Sequence, residues 1–361
     1  MGRIYIDKTI PGAKEAFAPL GALSLFESQD AFTDPGILED AEVLITRSTT
    51  RIDERLLSAV PGLRAVASPT IGTDHVDFAA LASYGRDHGR TVPFFHAPGA
   101  TAGGVADFAL AAILESGADQ FDNKHIGGAV GIWGFGHCGS ALAERLDMFR
   151  IPWLAYDPPL QERSDFRSVD LGSILECRVI SLHVPLTRPD QSGWPTHHMI
   201  GDEILSEMSR RGTILINTSR GAVVDNDALA RILETDTDMR ACLDVWEGEP
   251  KPDPRLVAAC FVSTPHCAGS VVEGRKRAAF MIRDAVASFL GLSRGGIRGA
   301  KPLQDAPRAP IRHREDLLAI VGLNDLSRRF KTNYLSADPS ERAAVFEEVR
   351  AGSARHEARW D

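Results

Sequence analysis

The segment that most constrains the fold is a glycine-spaced turn between a strand-like and a helix-like run. Ala129 to Trp133 is continuously apolar or small; Gly134-Phe135-Gly136-His137-Cys138-Gly139 follows, and Ser140 to Leu146 then reads as a helix. G-x-G-x-x-G in this setting predicts a dinucleotide-binding βαβ unit. Gly134 permits the tight turn, Gly136 lets a pyrophosphate approach the backbone, and Gly139 lets helix and strand pack closely. The phosphates are expected at the positive helix N-terminus, beside His137 and Cys138. The next strand, Trp153 to Tyr156, ends in Asp157, 18 residues after Gly139. An acid there accepts hydrogen bonds from a ribose and repels a 2′-phosphate, which selects NAD over NADP. The competing reading is a glycine-rich turn in an α/β protein that binds no cofactor.

Around this turn the chain alternates strand and helix, the pattern of parallel βαβ units. Strands are expected at 4–7, 42–46, 63–68 and 91–96, with helices at 13–20 and 52–60. After the breaker Ala97-Pro98-Gly99 and a helix at 103–114 comes a second series. Its strands are expected at 129–133, 153–156, 179–183, 213–217, 241–245 and 261–264, followed by a helix at 272–290. A linker rich in Gly, Pro and Arg is expected at 293–311, then a charged helical tail with Leu317, Leu318, Ile320 and Val321 as its apolar positions. The expected fold is α/β, with two Rossmann-like domains built on parallel sheets and a small C-terminal extension.

Composition narrows the function. Forty-nine acidic against 40 basic residues leave a net charge of −9, a poor match to nucleic acid or an anionic membrane. No apolar run is long enough to cross a bilayer. The five cysteines are scattered, without C-x-x-C pairs, so neither a disulfide framework nor a zinc site is expected. The adjacent His197 and His198 lack further ligands at suitable sequence spacing and read as solvated loop; no metal is expected. Without a secretory signal, the default expectation is the cytoplasm.

Three segments at the ends of predicted strands carry candidate chemistry: Asn217 to Gly221, Asp244 to Pro250 and Thr264 to Gly269. Oxidising a hydroxy acid needs a cation for the carboxylate and a base for the hydroxyl proton. Arg220 offers a planar fork to a carboxylate. His266 suits the base, and Glu249 suits the group that fixes its tautomer. Taken singly, each reads more readily as a surface arginine, a loop Glu-Pro and a structural histidine; their order behind the glycine turn favours the catalytic reading.

Further motifs are specific: Leu44 to Thr50 (LITRSTT), Ile71 to Asp77 (IGTDHVD), Arg220 to Asn226 (RGAVVDN) and Leu243 to Pro250 (LDVWEGEP). With these the chain resembles the D-2-hydroxyacid dehydrogenases over roughly residues 1–290. Within that family it is most similar to the branch that oxidises 4-phospho-D-erythronate to its 2-oxo acid in the vitamin B6 pathway. The resemblance implies Arg220, Glu249 and His266 as the catalytic trio. It implies Asp157, Val184, Thr218, Ser219, Arg220, Asp244 and Gly269 as cofactor contacts, and Ser48 and Thr70 as substrate contacts. Arg47 and Arg51 are candidates for a substrate phosphate. Ser270 stands where that branch has a substrate-contacting Tyr, and Ala100, Thr101 and Asp107 also depart from its pattern.

The implied layout is a substrate-binding lid at 1–98, completed by about 285–302, an NAD-binding domain at 99–284, and an extension at 303–361 that makes a homodimer. The substrate, a small anionic hydroxy acid, is expected in the cleft between the domains. The alternatives are glycerate or 3-phosphoglycerate as substrate, or, in another class, an NAD-sensing corepressor or scaffold.

Overall fold

The computed structural model describes residues 3–10, 12–117, 128–235, 238–292 and 310–360. The chain forms two compact units, one of residues 1–101 and 273–307, the other of residues 102–272 and 308–361.

The first unit holds a five-stranded sheet in the order β2-β1-β3-β4-β5. Its strands are β1 (Ile4–Asp7), β2 (Leu23–Phe26), β3 (Val43–Ile45), β4 (Ala65–Ala67) and β5 (Phe94–Phe95), and every pairing is parallel. β3 and β4 are wholly buried, as strands covered on both faces must be. One face carries Ile4, Ile6, Val43, Ile45, Ala65 and Ala67, packed with Phe17, Leu20 and, from the helix Val272–Phe289, Ala278, Ile282 and Val286. Leu44, Val66, Leu56, Leu57 and Leu81 fill the other. The sequence reading missed β2, an edge strand with two exposed residues and so without the continuous apolar run of its neighbours. It also missed the helix Phe78–Asp87.

The second unit holds six parallel strands in the order β11-β10-β9-β8-β6-β7. They are β6 (Val130–Trp133), β7 (Trp153–Tyr156), β8 (Val179–Leu182), β9 (Ile214–Asn217), β10 (Arg240–Leu243) and β11 (Val262–Ser263), each within an expected strand or one residue outside it. β6 lies between β7 and β8, so the strand order reverses there. In open parallel sheets that switch point is where ligands bind, beyond the carboxyl ends of the strands. The glycine turn leaves β6 at this place.

The helix Ala102–Glu115 is buried along nearly its whole length. Apart from the buried Asp107 and the terminal Glu115 it is apolar or small all round, which suits a helix enclosed by neighbours rather than one at a surface. The tail folds as the helices Arg314–Val321, Leu323–Ser336 and Arg342–Ala351. It inserts side chains into both cores of this unit: Leu317, Val321 and Leu323 into one, Phe330, Tyr334, Phe346 and Val349 into the other. Leu317 and Val321, two of the expected apolar positions of the tail, are therefore covered by their own chain. The expected linker lies, as far as residue 309, outside the described residues. Among the described residues no helix is long and apolar enough to cross a membrane.

Candidate active site and cofactor cradle

The glycine turn has the geometry its sequence predicts. Gly134 has φ +96°, a backbone that side chains disfavour. A Cβ on it would meet the His183 carbonyl at 2.8–2.9 Å and the Val184 side chain at 2.8 Å, at the end of β8. A Cβ on Gly139 would lie 2.1 Å from the Gly134 carbonyl oxygen, so only glycine lets the helix start this close to the strand. Gly136 differs: a Cβ there would meet nothing within 4 Å. It caps the helix His137–Met148 without a side-chain hydrogen bond, so its open side lies at the positive end of a helix. Such an arrangement would fit a pyrophosphate.

The Asp157 carboxylate accepts from the backbone N–H of Phe135 at 2.7 Å and of Leu160 at 2.9 Å. These bonds hold it against the glycine turn and still leave each oxygen a lone pair for a ribose hydroxyl. Thr218, directly after β9, has a buried hydroxyl without a protein partner. A bound dinucleotide would supply a partner that such a group otherwise lacks. The residues present therefore fit NAD. Cys138 is a poor nucleophile, because burial pushes its thiol up to about 11.

The second constellation follows β9, β10 and β11, adjacent parallel strands whose carboxyl ends share one edge of the sheet. Asn217 ends β9 and shapes the turn beyond it. Its Oδ1 accepts from the N–H and hydroxyl of Ser219 at 3.0 and 2.8 Å, and its Nδ2 donates to the Arg220 carbonyl at 3.0 Å. Arg220 donates to the Ser219 carbonyl at 2.8 Å. Gly221 lies against the next loop so closely that a Cβ would come within 1.9 Å of the Trp246 carbonyl carbon. This contact joins the arginine turn to the loop after β10.

In that loop Glu249 is held by one oxygen and presented by the other. Oε1 accepts from the Trp246 N–H at 2.8 Å, and Oε2 lies 2.7 Å from His266 Nδ1. His266 follows β11 with φ +51°, a conformation that is strained for a bulky side chain. Its ring is about one-third exposed. With Nδ1 held by a carboxylate, Nε2 is the nitrogen left to exchange a proton.

Asp244 is buried and organises the histidine loop. Oδ1 accepts from the Thr264 hydroxyl at 2.6 Å and the Cys267 N–H at 2.8 Å; Oδ2 accepts from the Ala268 N–H at 2.8 Å. Gly269 and Ser270 continue the loop. Ser270 is buried, with its N–H on the Cys267 carbonyl at 2.8 Å. Burial also pushes the Cys267 thiol well above its usual range, which removes it as a nucleophile.

The expected substrate contacts Ser48, Thr70 and Arg47 belong to the first unit. Ser48 is exposed, Thr70 lies 2.9 Å from the Gly72 carbonyl, and Arg47 donates to the Thr9 hydroxyl at 3.0 Å. His197 and His198 do gain a third neighbour in space: ligand atoms of His197, His198 and Glu247 lie within 4.8 Å of one another. Glu247 is already engaged, 2.7 Å from His198 Nε2 and accepting from the Asn226 N–H at 3.0 Å. It ties this loop to the start of the helix Asn226–Thr235. The sequence reading missed Arg355, and it gave no role to Asn217, Trp246 and Thr264 within the segments it singled out; Asn217, Trp246 and Arg355 bond to backbone carbonyls, which leaves no motif of spacing.

Comparisons with known proteins agree with this geometry. Residues 114–268 match the family model for the D-isomer specific 2-hydroxyacid dehydrogenase, NAD binding domain. An erythronate-4-phosphate dehydrogenase of Shewanella halifaxensis (strain HAW-EB4) is 37% identical over 293 residues, covering 81% of this chain and 75% of the relative. One of Shewanella sp. (strain ANA-3) is 40% identical over 292 residues, covering 80% and 74%. Among solved structures, the TT0316 protein from Thermus thermophilus superposes with a TM-score of 0.63 at 27% identity, over 81% of this chain and 98% of that one. The NAD+-bound 3-phosphoglycerate dehydrogenase of Entamoeba histolytica gives 0.64 at 21% identity, over 85% and 100%, a likeness of fold. The chain thus belongs to the D-isomer specific 2-hydroxyacid dehydrogenases and carries their NAD binding domain.

Proposed function

We propose that the chain is an NAD-dependent dehydrogenase that oxidises 4-phospho-D-erythronate to the corresponding 2-oxo acid, a step towards vitamin B6. The reaction class rests on the His266–Glu249 pair, 2.7 Å apart, and on the glycine turn after β6, both beyond the carboxyl ends of the same parallel sheet. The substrate rests on relatives of that name, 37–40% identical over four-fifths of the chain.

Gly134, Gly136, Gly139 and the helix start at His137 and Cys138 would hold the pyrophosphate of NAD. Asp157 would hold its ribose, with Val184, Thr218, Ser219, Asp244 and Gly269 as further contacts. NAD, held there, would supply the hydride acceptor for oxidation at C2 of the substrate. Arg220 binds the substrate carboxylate and polarises the C2 oxygen. His266 Nε2 takes the hydroxyl proton as the C2–H pair leaves and the carbonyl forms. Glu249 then faces an imidazolium across a charge-assisted hydrogen bond. Ser48, Thr70, Arg47 and Ser270 are the proposed substrate contacts, with Arg47 for the phosphate. A cytoplasmic homodimer is the proposed setting; the cytoplasm is the default reading of the sequence, the dimer follows from the family resemblance, and sedimentation of the purified protein tests the assembly.

Purified protein is assayed with NAD and 4-phosphoerythronate, 3-phosphoglycerate, glycerate or D-lactate, with 2-oxo acids added as acceptors in parallel. Preference for 4-phosphoerythronate, with kcat falling about 100-fold or more in His266→Ala, is the expected result. Turnover of another hydroxy acid alone sinks the substrate claim. NAD binding without any turnover sinks the enzyme reading in favour of a sensor.

A further inference from the structure

The tail reaches back to the loop that carries His266. Arg355 donates to the carbonyls of Cys267 at 2.9 Å and Ala268 at 2.6 Å, and to that of Gly104 at 2.9 Å, in the helix Ala102–Glu115. Its backbone pairs with the same loop: its N–H donates to the Ser270 carbonyl at 3.1 Å, and its carbonyl accepts from Val272 at 2.9 Å. Val271 and Arg355 form an isolated parallel bridge.

The other side of the loop is held by Asp244, on the N–H groups of the same two residues, Cys267 and Ala268. The peptide groups directly after His266 thus have their N–H groups on a carboxylate and their carbonyls on a guanidinium. A guanidinium spreads five N–H donors over a rigid planar fork and so reaches carbonyls further apart than the three donors on one ammonium nitrogen.

The strap is itself anchored. Asp107 is buried, and its carboxylate accepts from the Ala358 N–H at 3.0 Å, from Trp360 Nε1 at 2.9 Å and from Arg145 Nε at 3.3 Å. The Arg145 guanidinium carbon also lies 5.3 Å from the centroid of the Trp360 ring. Arg145 stands on the helix His137–Met148, which begins at the glycine turn.

We infer that Arg355 is a positioning residue for the proposed base: the C-terminal strap, fastened at Asp107, holds the loop that fixes where His266 presents Nε2. The inference rests on the reading of His266 as base. His266 has a left-handed backbone, so its loop has a strained conformation to maintain. Displacing a reacting group by about 1 Å costs on the order of 100-fold in rate.

The test uses the full chain with Arg355→Ala and Arg355→Lys, and His266→Ala as reference. Four quantities are read: kcat, KM for NAD, the thermal midpoint, and hydrogen exchange of the amides of residues 267–271. In Arg355→Ala, kcat is expected to fall about 100-fold while KM for NAD stays within about twofold. Exchange in 267–271 rises, and millimolar guanidinium added to the assay restores part of kcat. Arg355→Lys, which keeps one donor group, is expected to fall between Ala and parent, and it serves if the Ala variant does not fold. Folded variants with parental kcat and parental exchange overturn the inference. So does a loss of kcat that follows the thermal midpoint alone and that guanidinium does not rescue. If His266→Ala keeps full activity, the base reading fails, whereas the exchange measurement still reports on Arg355.

Discussion

Gly136 and Gly139 stand three residues apart in one turn and are glycine for opposite reasons. Gly139 is glycine because protein is in the way: a Cβ would sit 2.1 Å from a backbone oxygen that has nowhere to go. Gly136 has open space before it, so the fold alone does not demand it. The two alanine variants should separate accordingly. Gly139→Ala is expected to lose about 1–3 kcal/mol or more of stability through overpacking, and cofactor binding with it. Gly136→Ala should melt like the parent and lose most of its affinity for NAD, because its methyl occupies the space of the pyrophosphate. Thermal unfolding with and without NAD checks both. A Gly136→Ala protein still stabilised by NAD as strongly as the parent would place the phosphates elsewhere. Residues of this kind were legible in the sequence, since the spacing of glycines is itself the signal. Arg220, Glu249 and His266 were legible only as a set behind that turn. Asn217 and Arg355 were not, because each acts on backbone atoms, and a side chain that binds a carbonyl leaves no trace in its partner's identity.

At the scale of elements, β8 carries a consequence for pH. His183 directly follows it, with Nε2 2.8 Å from the Ser181 hydroxyl and Nδ1 buried without a partner. Burial holds its pKa down at about 4, against 6.5 for a free histidine. The native state therefore refuses a proton that the unfolded chain accepts. Stability from this group is complete above pH 6.5 and is lost as pH falls from there towards 4. The loss is at most about 3 kcal/mol, since a tenfold change in proton affinity corresponds to about 1.4 kcal/mol and the residue, which is not fully buried, keeps some screening by solvent. Urea midpoints of the parent should decline over that window, and His183→Asn should flatten the decline. An equal slope in the variant would assign the acid sensitivity to other groups. The strands of this unit were readable in the sequence because a strand covered on both faces is almost continuously apolar. Short helices such as Pro158–Arg163 and Leu171–Leu175 were not, because five or six residues span too few turns to show a period.

At the scale of the whole chain, the tail is part of the second unit's interior rather than an appendage. The sequence showed its helical character and its apolar positions. It did not show what they face, because a periodic stripe looks the same whether it packs on its own chain or on a partner. Leu317, Leu323, Phe330, Tyr334 and Phe346 are all fully buried, and the Tyr334 hydroxyl donates to the Pro252 carbonyl at 2.7 Å. Each such side chain contributes about 2 kcal/mol when withdrawn from water, so the five together contribute about 10 kcal/mol. That equals the whole net stability of an ordinary domain, about 5–15 kcal/mol. A chain ending at Leu292 is therefore expected to leave the second unit without a cooperative unfolding transition and without NAD binding. The first unit draws its core from residues 4–100 and 278–292 and keeps all of those side chains. Limited proteolysis should accordingly degrade 102–272 first and spare the fragments of the first unit. If the shortened chain unfolds at the parental urea midpoint and is still stabilised by NAD, the tail is an independent module. Its apolar residues would then be free to serve an interface between two copies.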